Sequence, residues 1–232
     1  MSPPFPPTHR RFLIALAVVY AVWWLICAHE PRMRTDWWLE NVLILFIIPF
    51  LLITGRWFVF SRTSYAITFV FLALHTLGAH YTYSEVPYDA WFRRLTGISI
   101  DETFGWERNH FDRSVHFLYG FLCTWPYREA FYYVATPRRT YWSYLLTLCF
   151  SAATSTLYEL LEWLAAVLYG GELGMAFLGT QGDIWDAHWD MLLAAGGALL
   201  CFAVMLLIQA ATGRDFPREW GESRRPVAAS AP

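Results

Sequence analysis

The chain has 232 residues, 56% of them hydrophobic and 16% charged, against roughly 45–50% and about 25% in ordinary soluble domains. Thirteen Trp, thirteen Tyr and eighteen Phe would leave a soluble fold of this size with large exposed apolar patches, so the composition fits a bilayer. A formal net charge of −2 excludes the basic footprint of a nucleic-acid-binding protein.

A membrane-crossing helix needs about 20 mostly apolar residues. Six runs qualify, at 12–28, 37–54, 63–83, 112–135, 141–169 and 184–210. None alternates like a membrane β-strand. The expected fold is therefore an all-α polytopic membrane helical bundle. One transmembrane domain occupies 1–211, and a polar, Pro-containing tail over 212–232 reads as disordered. His9, Arg10 and Arg11 before the first run resemble a signal peptide, but no small-x-small cleavage site follows, so the run reads as a retained anchor. Cys27, Cys123, Cys149 and Cys201 lie in or beside apolar runs without metal-ligand spacing, and read as core residues.

The 84–111 connection is long for a bundle. Pro87 could open a short helix with Tyr88, Trp91, Phe92 and Leu95 on one side and Arg93 and Arg94 toward headgroups. That pattern fits an interfacial helix, either a passive anchor or a lid. All seventeen basic residues are Arg. With a cytoplasmic N-terminus, eleven of them fall on the cytoplasmic side and six opposite, so the positive-inside rule predicts that both termini are cytoplasmic. Trp23, Trp24, Trp37, Trp38, Trp185 and Trp189 then fall near outer helix ends. Trp57, Trp125 and Trp142 fall near inner ones, as expected of an aromatic belt.

With that orientation, and about 1.5 Å of rise per residue, ionisable groups from four helices reach one depth toward the outer leaflet. The third span carries His75 and His80, and the fourth begins with Asp112, Arg113 and His116. The fifth carries Glu159 and Glu162, and the sixth begins with Asp183, Asp186, His188 and Asp190. Asp112 and His116 (i,i+4) share a helix face, as do Glu159 and Glu162 (i,i+3). Asp183, Asp186 and Asp190 form one stripe that continues through Ala194 and Gly197, small residues that let helices approach closely. An Asp at mid-membrane costs roughly 2.5–3.5 kcal/mol on insertion scales. These groups must therefore face the protein interior and find partners in Arg113, the histidines, a metal ion or water. Asp112, His116, Glu159, Glu162, Asp186 and Asp190 form the expected shared site. His75 reads as an interhelical hydrogen-bonder, His80 and Asp183 as interfacial, and His188 lies off the stripe. Gly179-Thr180-Gln181-Gly182-Asp183 is a turn in which Asp183 could cap the sixth helix, or the backbone could approach a phosphate.

Several segments resemble the YjdF-type inner-membrane family. They are Arg108-Asn109-His110-Phe111-Asp112-Arg113, His116-Phe117, Tyr119-Gly120-Phe121, Pro126-x-Arg128-Glu129, Tyr158-Glu159 with Glu162-Trp163, and Phe177 to Met191. The resemblance covers roughly residues 80–200. It implies a small multi-pass protein of the bacterial inner (plasma) membrane and assigns it no chemistry. A looser likeness to VanZ-type membrane proteins rests on Asp112, His116 and Phe117, then Glu159 or Glu162, then Asp186 and Asp190.

Three functions remain open. The first is an enzyme on a lipid headgroup or lipid-linked phosphate, with Arg108, Arg113, Gln181 and Asp183 binding the substrate. Glu159, Glu162, Asp186, Asp190 and His116 would hold a divalent metal ion or work as acid and base. No G-x-S-x-G context surrounds Ser114 or Ser155. The second is a carrier for a cation, proton or small polar solute, for which buried carboxylates with His are the usual parts; no inverted repeat is visible. The third is a scaffold in which the acids only join helices.

Overall fold

The computed structural model describes residues 7–135, 140–178 and 180–225. Among these, the helices are α1 (Pro7–Ala28), α2 (Arg34–Thr54), α3 (Arg62–His80), α4 (Tyr88–Thr96), α5 (Ile100–Phe104), α6 (Phe111–Val134), α7 (Thr140–Tyr169), α8 (Gly171–Leu178), α9 (Asp186–Thr212) and α10 (Phe216–Ser223). By length and composition, α1, α2, α7 and α9 can cross a membrane. α3 and α6 have 19 and 24 residues but carry more polar side chains. Packing explains the difference. α6 packs against α3, α7, α9 and α10, so much of its surface meets protein and needs no uniform apolarity. Only 6% of the apolar stretch of α1 is buried. α1 rests on α3, where Tyr20 meets Thr76 at 3.0 Å and the Trp23 indole donates to the Ala73 carbonyl at 3.0 Å.

α6 and α9 run parallel and touch backbone to backbone. A Cβ on Gly120 would stand 1.8 Å from the carbonyl oxygen of Ala194, and one on Gly197 would stand 2.0 Å from that of Phe117. The small-residue stripe thus forms a seam between helices.

The aromatic belt is partial. Trp38, Trp57, Trp142, Trp185 and Trp189 are exposed, whereas Trp37 is buried. The Trp24 indole donates to Asn41 at 2.6 Å, because an indole N–H near the protein interior needs an acceptor. Cys27, Cys123 and Cys201 are buried as expected, but Cys149 is exposed on the bundle surface.

The tail expected to be disordered from Thr212 instead contains α10, docked on α6. Residues 226–232 of that expectation lie outside the described residues. Asp215 caps α10 by accepting from the Arg218 amide at 3.3 Å, and Pro217 stands in its first turn, both common at helix starts. Asp215 also receives both terminal nitrogens of Arg128 at 2.5 Å. Arg128 is wholly buried, lies 4.2 Å over the Tyr144 ring and donates to Ser143 at 3.2 Å. Gly221 permits the docking, since a Cβ there would lie 2.5 Å from the Glu129 carbonyl.

Two measurements on detergent-purified protein test this architecture. Gly197→Ala should lower the melting temperature, through an overpacking cost of about 1–3 kcal/mol. Gly196→Ala, whose Cβ would meet nothing within 4 Å, should leave it unchanged or raise it; equal effects would remove the α6–α9 seam. Asp215→Ala strands a buried guanidinium and should cost about 3–5 kcal/mol, whereas a negligible change would mean that α10 is not docked.

Candidate functional site

The site forms where α6 and α9 begin and α7 ends. Before α6, Asn109 accepts from the Phe111 amide at 2.9 Å and donates to the Val86 carbonyl at 2.8 Å. The Tyr88 hydroxyl accepts from the His110 amide at 3.1 Å and donates to Asp101 at 2.6 Å. The 84–111 segment is thus tied to the helix start that carries Arg108, Asp112 and Arg113. α4 begins after Pro87, as expected. Leu95 is 84% exposed and Trp91 is 40% exposed, while Arg93 pairs with Glu102.

The outer layer consists of two arginines and two aspartates. Arg108 donates to Asp186 at 2.5 Å and to the Thr180 carbonyl at 3.4 Å. Arg113 donates to Asp183 at 2.5 Å and approaches Asp186 at 3.5 Å. Asp183 also accepts from the Trp185 amide at 2.9 Å. That amide, and after it the Arg113 guanidinium, hold the Asp183 carboxyl below its usual range. Asp183 therefore sits in the turn before α9, whose cap position is Trp185. Gln181, with φ of +47°, accepts from the Asn109 amide and donates to its carbonyl, both at 2.9 Å. Its side chain pins the two loops together. The Nε and Nη2 of Arg108 and the Nε of Arg113 are buried without a hydrogen-bond partner.

Beneath this layer lie the remaining predicted groups. His116 Nε2 stands 3.5 Å from Asp112 and 3.6 Å from Glu159. Ligand atoms of Asp112, His116 and Asp190 all fall within 4.8 Å of one another. That span is what opposite ligands require around one ion with bonds of about 2.1–2.4 Å. Asp190 Oδ1 and Glu159 Oε1 are buried without a hydrogen-bond donor. Glu162 lies close enough to feel charge on Glu159, Asp112, Glu40 and Asp190. The fold thus brings all six expected site residues together, and each is buried.

Other expectations divide. His75 is buried between the Tyr83 hydroxyl and the Glu40 carbonyl, the latter at 3.0 Å, so it joins helices. His80 meets the Cys27 carbonyl at 2.9 Å. His188 is exposed and packs on Trp185. Two acids on α2 escaped the reading. Glu40 accepts from the Tyr158 hydroxyl at 2.9 Å. Asp36 is fully buried, with both carboxylate oxygens unpartnered. Their i,i+4 spacing beside an apolar run was a usable signal. Asp36 lies one residue before the expected 37–54 run, in the first turn of α2, which starts at Arg34, whereas Glu40 lies inside that run.

Fold and constellation define a polytopic α-helical membrane protein with carboxylates, an imidazole and guanidiniums gathered at one end. The chain belongs to the DUF2238 family of predicted membrane proteins, whose profile matches residues 12–211. It is 32% identical over 174 residues to inner membrane protein YjdF of Escherichia coli (strain K12), an alignment covering 75% of this chain and 78% of that protein. No solved structure matches it. These matches carry the YjdF-type resemblance and not the VanZ-type one.

The Arg108–Asp186 pair can be tested directly. In a double-mutant cycle of Arg108→Gln and Asp186→Asn, melting temperatures should reveal a coupling of roughly 0.5–3 kcal/mol. Additive losses would mean that the two side chains do not meet.

Proposed function

We propose that this chain is a multi-pass inner-membrane protein whose acidic/His site holds a divalent cation and acts on the phosphate of a lipid or lipid-linked substrate at the outer leaflet. The observation that carries the reading is the Asp112, His116 and Asp190 cluster, with Asp190 Oδ1 unpartnered, directly below two guanidiniums. Clustered carboxylates in a low-dielectric interior need protons or a cation, and Arg108 and Arg113 are already matched by Asp183 and Asp186. A cation would meet that need and polarise a phosphoryl oxygen. The unpartnered Nε/Nη2 edge of Arg108 has the planar shape that takes a phosphate through two hydrogen bonds. Glu159 and Glu162 supply the base and acid. In hydrolysis, water oxygen bonds to phosphorus and the P–O ester bond breaks. Glu159 takes the water proton, and protonated Glu162 returns one to the leaving alkoxide. The outer-leaflet placement rests on the eleven-to-six arginine split and on the relative's printed description as an inner membrane protein.

A second reading, a cation or proton carrier, draws on one specific feature. Ser143, Thr147, Ser151, Ser155, Glu159 and Glu162 are the buried residues of α7. They form a hydroxyl seam leading from the carboxylates toward the opposite end of the bundle, the kind of chain that relays protons.

Metal analysis of purified protein separates these readings from a scaffold. One divalent ion per chain is expected. Asp190→Asn and His116→Gln should weaken its binding about 10–100-fold or more while elution and helicity stay unchanged. Absence of metal after incubation with Mg²⁺, Mn²⁺, Ca²⁺ or Zn²⁺ would end the metal reading. Phosphate release from lipid substrates in detergent supports the enzyme. Cation flux in sealed vesicles without phosphate release supports the carrier.

A further inference from the structure

At the end of the bundle opposite the carboxylates lies a cavity of about 620 Å³, lined by residues of α1, α3, α6, α9 and α10 together with Ser61 and Arg224. Its chemistry is unlike that of the first site. Arg62 and Arg224 line it, and no carboxylate pairs with either among the described residues. Arg224 lies 4.3 Å over the Trp220 ring, and its Nε is buried without a partner. His9 stacks on the same Trp220 ring, with centroids 6.0 Å apart and planes 14° from parallel, near enough to both arginines to feel their charge. Trp125, Phe216 and Ile208 supply apolar wall.

One acid, Glu129, also lines the cavity, and its oxygens are already occupied. It accepts from the Ser61 amide at 3.0 Å, the Ser61 hydroxyl at 2.6 Å and the Trp125 indole at 3.2 Å. Ser61 caps α3, so Glu129 also sits at the positive end of that helix dipole. Its charge is thereby spent locally, and the two guanidiniums keep an unmatched positive charge facing an apolar, aromatic chamber.

We propose that this cavity binds the phosphate of an anionic phospholipid headgroup, with Arg62 and Arg224 as its ligands. Two features favour a lipid over a free anion. The neighbouring α1 is almost wholly exposed along its apolar length, where acyl chains would lie. The wall also mixes indole and aliphatic surface with guanidinium, which suits a headgroup at the junction of polar and apolar regions. The inference is independent of the metal site.

The test is thermal unfolding of detergent-purified protein with phosphatidylglycerol, with phosphatidylcholine, or with inorganic phosphate alone. Phosphatidylglycerol should raise the melting temperature by on the order of 2–4 °C, and the other two should not. The shift should vanish in Arg62→Gln, Arg224→Gln and survive in the charge-matched Arg10→Gln, Arg11→Gln, whose side chains do not line the cavity. Should the first double variant elute as aggregate, Arg62→Gln alone, at an exposed position, should at least halve the shift. Equal shifts from the two lipids, a shift unchanged in the cavity variants, or a full shift from inorganic phosphate would each overturn the proposal.

Discussion

Two glycines let α6 and α9 meet backbone to backbone, Gly120 against Ala194 and Gly197 against Phe117, and the register of that contact positions the groups above it. One turn back from Gly120 is His116, and two turns back is Asp112. One turn back from Ala194 is Asp190, and two turns back is Asp186. Because the helices run parallel, these residues stack pairwise, and a few ångströms of helix separation decide whether Asp190 reaches the side chains of α6. A larger residue at the seam would push apart atoms that now lie within 4.8 Å. Packing and site geometry are thus one property of the same two helices.

Buried charge is satisfied unevenly in this bundle. Arg128 has a bidentate carboxylate in Asp215, a serine hydroxyl and two aromatic faces, so its burial costs little that is not returned. At the other end Asp190, Glu159, Asp36 and the Arg108 edge each leave buried polar atoms without a partner. Such atoms cost about 1–3 kcal/mol apiece. A chain able to satisfy Arg128 so fully is able to satisfy those groups too. Unsatisfied groups such as Asp190 and Glu159 are the kind of local conflict that the function proposed above would resolve by binding a ligand.

Much of this was legible in the amino-acid sequence. The helical periodicity of acids and small residues on α9 identified both the stripe and the seam, since the spacing directly encodes which residues share a face. The i,i+4 pair on α6 and the i,i+3 pair on α7 were legible for the same reason. What escaped lay at helix boundaries. Asp36 falls just outside the expected run because hydropathy reports an apolar stretch and not the turn of helix before it, and Glu40, inside that run, is one charge that the surrounding apolar residues outweigh. α10 read as tail because eight residues with few apolar side chains carry no hydrophobic stretch, although Asp215 with Pro217 is a recognisable helix start. Its docking depends on Arg128, which is 87 positions away in the chain, and no local pattern records that. Gln181 read as a ligand-binding residue in a glycine-rich turn, yet it mimics a peptide group against Asn109, a pairing that only the folded loops reveal.

The choice of arginine over lysine matters at the carboxylate end. A guanidinium presents separate edges. Arg108 gives Nη1 to Asp186 and to the Thr180 carbonyl, while Nε and Nη2 face elsewhere without a partner. Asp186 therefore anchors the side chain through Nη1 and leaves the buried Nε/Nη2 edge without a partner; on the function proposed above, a phosphate would take that edge without displacing the aspartate. An ammonium group in the same place would be a single point charge already neutralised by its anchor. Anchoring through one nitrogen also fixes the plane of the group before anything binds, which lowers the ordering cost of recognition. The Asp183, Asp186, Arg108 and Arg113 layer, two acids matched by two guanidiniums, thus acts as a positioning frame above the carboxylates and leaves them without a counter-charge of their own.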